Sequence, residues 1–153
     1  MVRINRETDY GIGILTAMAR SPEQRFSTVR LAEQQGLPQP MVAKILKNLT
    51  RAGVLVSYRG AKGGYGLARP AREISVAEII TALEGPIAFT ECVEEGVEAC
   101  QYGDACTTSA NWWRISQVVQ QALGSISLKD MSEPVVPLRM MAPQPGSLKG
   151  DAS

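Results

Sequence analysis

The fold is decided by one stretch, residues 27–67, which reads STVRLAEQQGLPQPMVAKILKNLTRAGVLVSYRGAKGGYGL. Its first segment has the pattern of a short helix that Ser27 or Thr28 can cap and that Gly36 can end in the left-handed conformation. The side chains predicted to point inward are Val29, Leu31 and Ala32. A second helix follows directly, and two helices joined by a tight turn with glycine are typical of a helix-turn-helix.

That second helix is predicted to begin near Gln39 or Pro40, because proline is tolerated only in the first turn of a helix, and to end at Ala52. Its apolar stripe contains Met41, Val42, Ile45, Leu46 and Leu49. Its opposite face contains Gln39, Lys44, Lys47, Asn48 and Arg51. The long polar and basic side chains of this face point away from the core, where another molecule can meet them.

A β-hairpin is predicted next. Residues 54–58 are rich in β-branched side chains, residues 59–64 form a glycine-rich turn, and residues 65–68 form the return strand. Arg59 and Lys62 lie at the tip of this hairpin. The predicted fold class is therefore mainly α with a small β-wing, a winged helix-turn-helix.

The net charge of +1 conceals an uneven distribution. Residues 1–72 contain 12 Lys and Arg against 4 Asp and Glu, whereas residues 73–108 contain 8 acids and no Lys or Arg. Clustered positive charge is typical of a surface that binds the phosphates of nucleic acid. We therefore expect residues 1–72 to be a DNA-binding domain that recognises a double-stranded operator; a winged helix used for protein contacts is the alternative.

Several other classes of protein are excluded by composition. The chain contains no histidine, which removes Ser-His and Cys-His catalytic pairs, and we do not expect an enzyme. No run of about 18 apolar residues exists to span a membrane. Because Met1–Glu7 lacks the apolar stretch of a secretory signal, we expect a cytoplasmic location with reduced cysteines.

Further helices are predicted on both sides of the decisive stretch. The first runs from a cap at Asn5 to Arg20, and the fourth begins with a capping box between Ser75 and Glu78 and ends at Glu84. A long amphipathic helix follows later, with the stripe Trp112, Ile115, Val119, Ala122 and Ile126 beside Trp113, Val118 and Leu123. A partner helix from a second copy is the simplest cover for this stripe, so a homodimer is expected; packing on its own domain is the alternative. Residues 73–132 are thus assigned to a cysteine loop and dimerisation helices, and residues 133–153 to a mobile tail.

All three cysteines lie within fifteen residues, with seven residues between Cys92 and Cys100 and five between Cys100 and Cys106. Such short spacing lets thiolates converge on one metal centre, and thiolates select zinc or an iron–sulfur cluster. Free thiols, or thiols that form a redox switch, are the other possibility.

At this point the sequence resembles the Rrf family of bacterial winged-helix regulators, which includes IscR-like and NsrR-like proteins and the regulators of Suf iron–sulfur assembly. The resemblance covers about residues 1–132 and rests on four groups of residues: Thr8-Asp9-Tyr10, the wing from Arg59 to Leu67, the segment from Ile74 to Ile80 with Leu83 to Pro86, and the three cysteines. Ala88 to Cys92 and Asn111-Trp112 are most similar to the Suf-regulator branch. The resemblance implies a homodimer in which the cysteines hold a [2Fe-2S] or [4Fe-4S] cluster whose occupancy changes DNA affinity.

Two departures from the family limit what can be transferred. IscR-like members have a histidine ligand three residues after the last cysteine, where Ser109 stands here. NsrR-like members take a carboxylate from the first helix of the other subunit, and Asp9 stands at the matching place, so Asp9 is the fourth-ligand candidate and Glu7 the second. Ala43 replaces the base-reading glutamate of IscR-like members, so their operator preference is not transferred.

The sequence therefore predicts a repressor of iron–sulfur assembly genes that senses cluster supply or oxidative stress. The groove-facing residues are expected to be Gln39, Lys44, Lys47 and Asn48, with Arg59 and Lys62 entering the minor groove from the wing. Two alternatives remain: an iron–sulfur or thiol redox protein, and a regulator stabilised by zinc or switched by thiols alone.

Overall fold

A computed structural model describes residues 3–94 and 106–134, and in those residues it contains helices and one two-stranded antiparallel sheet. The elements are α1 (Arg6–Ala19), α2 (Thr28–Gln35), α3 (Gln39–Arg51), β1 (Leu55–Tyr58), β2 (Gly64–Leu67), α4 (Val76–Glu84), α5 (Glu91–Glu94), α6 (Ser109–Gly124) and α7 (Leu128–Ser132), with a 3-10 turn at Ala71–Glu73. The predicted fold class, mainly α with a small β-wing, is confirmed.

The helix ends are fixed by the residues that the sequence indicated. The side chains of Asn5 and Ser27 accept hydrogen bonds from the backbone amides of Thr8 and Arg30, which satisfies amide groups that an unpaired helix start leaves free. Gly36 ends α2 with a φ of 63°, a conformation in which other residues are strained. These local signals set α2 and α3 next to each other with a three-residue connection.

The core lies among α1, α2, α3 and the beginning of α4. Its completely buried side chains include Ile14, Leu15, Leu31, Ile45, Leu46, Leu49 and Ile79. Two predicted core residues are instead exposed, Val29 by 47% and Met41 by 36%. Val29 precedes Leu31 by two positions, which places it about 200° away around the helix, and Met41 stands in the first turn at the edge of its stripe.

The wing is the hairpin of β1 and β2; β1 begins one residue later than predicted, and β2 is displaced by one residue towards the N-terminus. Leu55 pairs with Leu67 and Tyr58 with Gly64. Phe26 forms an antiparallel β-bridge with β2: its amide donates to the carbonyl of Tyr65, and its carbonyl accepts from the amide of Tyr65. Gly64 is required here because a Cβ would lie 2.7 Å from the carbonyl oxygen of Phe26 and because its φ is 135°.

The start of α4 corrects one prediction. Ser75 accepts from the amide of Glu78, as a capping box requires, but the Glu78 carboxylate forms an ion pair with Arg69 instead of reaching back to the cap. Arg69 follows β2, so this ion pair joins the end of the wing to α4. The prediction of a reciprocal box failed because a guanidinium within reach is a stronger partner for a carboxylate than a neutral amide.

The end of the described chain corrects a second prediction. The long helix ends at Gly124 and not at Ile126, and a separate helix, α7, begins after Ser127 with a full capping box to Asp130. The amide of Leu128 donates to the carbonyl of Ile74, and the Leu128 side chain is completely buried. The S-x-x-D pattern of residues 127–130 was the available sequence signal for α7.

No helix of residues 3–94 or 106–134 has both the length and the apolarity needed to cross a membrane. The predicted tail lies outside the described residues from position 135 onward.

Candidate functional site

The polar face of α3 is the first part of the candidate site. Gln39, Lys47 and Arg51 are exposed on it, whereas Asn48 is half-buried at its side. Val42, Ile45, Leu46 and Leu49 bury the opposite face completely. The helix is therefore held by one face and presents cations and an amide on the other.

Two of the predicted groove-facing residues have a partner within the protein. The Lys44 ammonium donates to the carboxylate of Glu7 at 2.8 Å, and the Asn48 amide donates to the other oxygen of that carboxylate at 3.5 Å. Glu7 belongs to the first turn of α1, and α1 packs against α3. Glu7, the second candidate for a cluster ligand, is thus hydrogen-bonded to α3.

A cleft separates α3 from the wing. Its lining residues are Ala43, Lys47, Thr50 and Arg51 of α3 with Ser57 and Tyr65 of the hairpin. Lys47 and Arg51 supply positive charge on the helix side of this cleft. A nucleic-acid strand that runs along α3 would reach the wing on the far side of the same cleft.

The wing tip carries the predicted pair Arg59 and Lys62, and both side chains are exposed. Arg25, which no sequence pattern singles out, contacts this tip from the loop before α2. Its guanidinium carbon lies 3.8 Å from the centroid of the Tyr58 ring, and it donates a hydrogen bond of 3.1 Å to the carbonyl of Lys62. Since Arg25 contacts both sides of the turn, it restrains the position of the tip.

The cysteine segment is described at its two ends. Cys92 lies in α5, Cys106 lies before the start of α6, and α5 packs against α6. Cys100 lies outside the described residues, as do its neighbours from 95 to 105. Within the described ranges, no group of three cysteine and acidic side chains gathers in the way that a metal ion requires.

Cys106 is a free, half-exposed thiol. A hydrogen bond with the Thr108 hydroxyl, at 3.5 Å between sulfur and oxygen, lowers the pKa of the Cys106 thiol below its ordinary value. The Thr108 backbone and Ser109 lower the pKa further, and these effects exceed the opposing effect of burial. Because the thiolate is the form that binds metal or reacts with oxidants, Cys106 is suited to either role.

Asp9, the predicted fourth ligand, lies in the first turn of α1 and is exposed. Its carboxylate is therefore accessible to a group outside its own chain. The dipole of α1 favours an acid at this position in any case, which is the structural alternative for Asp9.

Helix α6 carries large apolar side chains that are exposed. Val118 is 58% exposed and Ile115 is 42% exposed, and the two lie about 60° apart around the helix, on one face; Trp113, also 58% exposed, lies well away from that face. In the predicted stripe, Trp112, Ile115 and Ile126 are exposed and Val119 is half-buried. Most of the stripe is therefore uncovered in the single chain, which is unusual for side chains of this size.

Comparison with known proteins identifies the group that shares this arrangement. The Rrf2 family model, described as an iron-dependent transcriptional regulator, matches residues 4–134. The chain is 34% identical over 131 residues to the HTH-type transcriptional regulator IscR of Xenorhabdus nematophila, which covers 85% of this chain and 79% of that relative.

Solved structures give the same result. The structure of CymR, named as the global cysteine regulator of B. subtilis, is similar with a TM-score of 0.67 and 29% identity, covering 86% of this chain and 97% of that one. The structure of T. potens IscR is similar with a TM-score of 0.63 and 31% identity, covering 85% of both chains.

Proposed function

Because the chain belongs to the Rrf2 family of transcriptional regulators, we propose that it is a homodimeric repressor of iron–sulfur assembly genes whose DNA affinity follows the occupancy of an iron–sulfur cluster. It is a transcriptional regulator of the IscR type and not an enzyme. The cluster, the dimer, the target genes and the residues that contact DNA are parts of the proposal.

The observation that carries the DNA-binding part is the cleft between α3 and the wing. Lys47 and Arg51 lie on one side of it, and the hairpin that carries Arg59 and Lys62 at its tip lies on the other. A helix that enters the major groove can place its basic groups on phosphates while the wing tip reaches the adjacent minor groove. The exposed Gln39 amide has the donor and acceptor needed for an adenine edge.

Lys44 and Asn48 have a second role in the proposal. Both belong to the set that addresses the groove, but in the free protein the Glu7 carboxylate binds them. Gln39 and Lys47 are therefore the first contacts of α3 with DNA, and Lys44 and Asn48 join after they leave Glu7.

The cluster part of the proposal assigns Cys92, Cys100 and Cys106 as ligands and Asp9 of the second copy as the fourth. The lowered pKa of Cys106 supports a thiolate ligand, because it favours the deprotonated form that binds iron. When bound, the cluster would supply a group whose integrity depends on iron supply and oxidants. Of the three, Cys106 would be held just before α6, and Cys92 in α5, which packs against α6.

Asp9 is tested by replacement. We expect Asp9→Ala to retain the fold and the dimer, because Asp9 is exposed, and to hold a cluster that oxygen destroys faster. The lifetime of the visible absorption in air is the measurement. An unchanged lifetime and spectrum would remove Asp9 from the ligand set.

The dimer is proposed on the exposed face of α6. Ile115 and Val118, which share one face of α6, offer an apolar surface of the kind that a second α6 would bury. We expect the protein to sediment as a dimer and Val118→Glu to sediment as a monomer with unchanged helical content. A monomeric wild-type protein would overturn this part.

A thiol-switched regulator is the second candidate, and one observation favours it. Cys106 is half-exposed and its thiol has a lowered pKa, which also promotes oxidation. Anaerobic purification followed by iron and acid-labile sulfide analysis separates the candidates. We expect a coloured protein that contains both; a colourless protein that binds DNA would support the thiol switch, and stoichiometric zinc would support a zinc-stabilised regulator.

A further inference from the structure

Glu7 of α1 is an acidic side chain that contacts α3, the helix proposed to recognise DNA. Its carboxylate accepts from the Lys44 ammonium at 2.8 Å and from the Asn48 amide at 3.5 Å. Lys44 and Asn48 are four residues apart in α3, which places them on adjacent turns of one face. One carboxylate therefore engages two of the four α3 residues that are expected to address DNA.

The position of Glu7 is not explained by its own helix alone. An acid in the first turn of α1 is favoured by the helix dipole, and Asp9 in the same turn satisfies that preference while remaining exposed. The Glu7 side chain is only 26% exposed and is directed towards α3, where Lys44 is 65% exposed. The orientation of Glu7 thus follows from its cation partner.

A carboxylate at this place opposes the approach of DNA. Each lysine that is free to neutralise a phosphate releases a counterion, and this release supplies most of the affinity for DNA of any sequence. A lysine that is already paired with a carboxylate contributes less, because the ion pair must separate first. Since largely exposed ion pairs are weak, DNA can displace Glu7, but at a cost.

We propose that Glu7 lowers the affinity of α3 for random DNA by holding Lys44 in an ion pair. The inference rests on the proposed contact of α3 with DNA. It assigns to Glu7 a role in DNA affinity and not in metal binding. On random DNA the pair stays closed, so Lys44 makes no phosphate contact.

The test uses the full-length, anaerobically purified protein and a fluorescent duplex of random sequence, with binding measured across a salt series. We expect Glu7→Gln to bind this duplex about twofold to fivefold more tightly at low salt, the scale of one exposed ion pair. The slope of log affinity against log salt should become more negative by about 0.9, the change for one additional phosphate contact. Equal iron content in the variant shows that the cysteine site is unaltered.

Glu23→Gln is the matched control, because it makes the same charge change in the loop between α1 and α2 and leaves the Glu7 contact in place. Glu23→Gln should change both the affinity and the slope of log affinity against log salt less than Glu7→Gln does. If the two variants bind equally, net charge alone explains the effect and the proposal is wrong.

A double-mutant cycle with Lys44→Gln isolates the contact. In the Lys44→Gln background, Glu7→Gln should no longer tighten binding, because the lysine that Glu7 restrains is absent. Equal tightening in both backgrounds would overturn the proposal. Glu7→Ala provides a second removal of the carboxylate, and thermal unfolding shows whether each variant is folded.

The outcomes also separate this inference from the proposed function. If the wild-type protein binds DNA and the folded Glu7 variants bind no more tightly, only the role of Glu7 fails. If neither wild type nor variants bind DNA, the DNA-binding proposal fails and this inference fails with it.

Discussion

The basic half of the chain, residues 3–72, and the segment that follows it, residues 73–134, differ in how well a single chain buries their large apolar side chains. In the basic half, Ile45 and Leu46 of α3 are completely buried, while Gln39 and Lys47 of the same helix are exposed. In the second segment, Trp113 and Val118 are each 58% exposed. The first region thus presents a polar surface on a helix whose apolar face is already packed, whereas the second presents apolar side chains that remain exposed in one chain.

The largest expected difference between the regions concerns iron. Replacing Cys100 with Ser should abolish most of the iron and acid-labile sulfide of the anaerobically purified protein, because a cluster loses one of its three thiolate ligands. Because the hydrophobic core of residues 3–94 and 106–134 contains no cysteine, the circular dichroism spectrum should remain helical. If this variant retained the wild-type amount of iron, Cys100 would not be a ligand of the iron.

A core truncation gives the next largest effect. Leu46→Ala should lower the free energy of unfolding by about 2–5 kcal/mol at every protein concentration, because it leaves a cavity beside α3. By contrast, Val118→Glu should lower the thermal midpoint by an amount that disappears on dilution, since it removes association alone. Thermal unfolding at a series of concentrations measures both. If Val118→Glu lowered the thermal midpoint equally at every concentration, Val118 would stabilise its own chain and not an interface between two copies.

Most of the basic half was predictable because its signals are local. The caps Asn5 and Ser27, the left-handed Gly36 and the β-branched residues before the turn act on their immediate neighbours. The exposed groove residues followed from helix periodicity in the same way. What periodicity could not give was the partner of Lys44, because Glu7 lies 37 residues earlier and meets α3 only after the helices pack.

The second segment was less predictable for a related reason. The early end of α6 and the helix α7 depend on backbone pairing of residues 126–128 with residues 74–76, which are distant in sequence. Arg25 was missed because its role depends on the folded positions of Tyr58 and Lys62. The spacing of the cysteines predicts a shared centre, but the proposed fourth ligand, Asp9 of a second copy, leaves no such local pattern.

Within the basic half, the wing and α3 should be separable. We expect Arg59→Ala to weaken binding to a selected operator by about 1–3 kcal/mol, with the largest loss on duplexes that have A·T-rich flanks. Lys47→Ala should instead weaken all sequences alike and reduce the salt slope by about one. Titrations of both variants on selected and random duplexes provide the comparison. If Arg59→Ala weakened random DNA as much as operator, the wing would only anchor phosphates.

The smallest expected effect is a shift in reactivity at Cys106. In a Cys92→Ser, Cys100→Ser protein, Cys106 is the remaining thiol, and its alkylation rate should rise with a midpoint below the pH of an ordinary thiol, because the Thr108 hydrogen bonds lower its pKa. Thr108→Ala should move that midpoint upward. Thr107→Ala, the neighbouring exposed threonine, is the matched control and should leave it in place. A midpoint that Thr108→Ala does not move would show that the hydroxyl does not stabilise the thiolate.

In the proposed function, the cysteine segment controls the DNA affinity of the basic half. Two binding curves on one duplex selected from a randomised pool, measured with the same anaerobic preparation before and after a chelator removes the iron, test this coupling. We expect the two affinities to differ by about fivefold or more, the usual scale of coupling between two sites. Superimposed curves from a protein that has demonstrably lost its iron would show that the cysteine segment does not affect DNA binding.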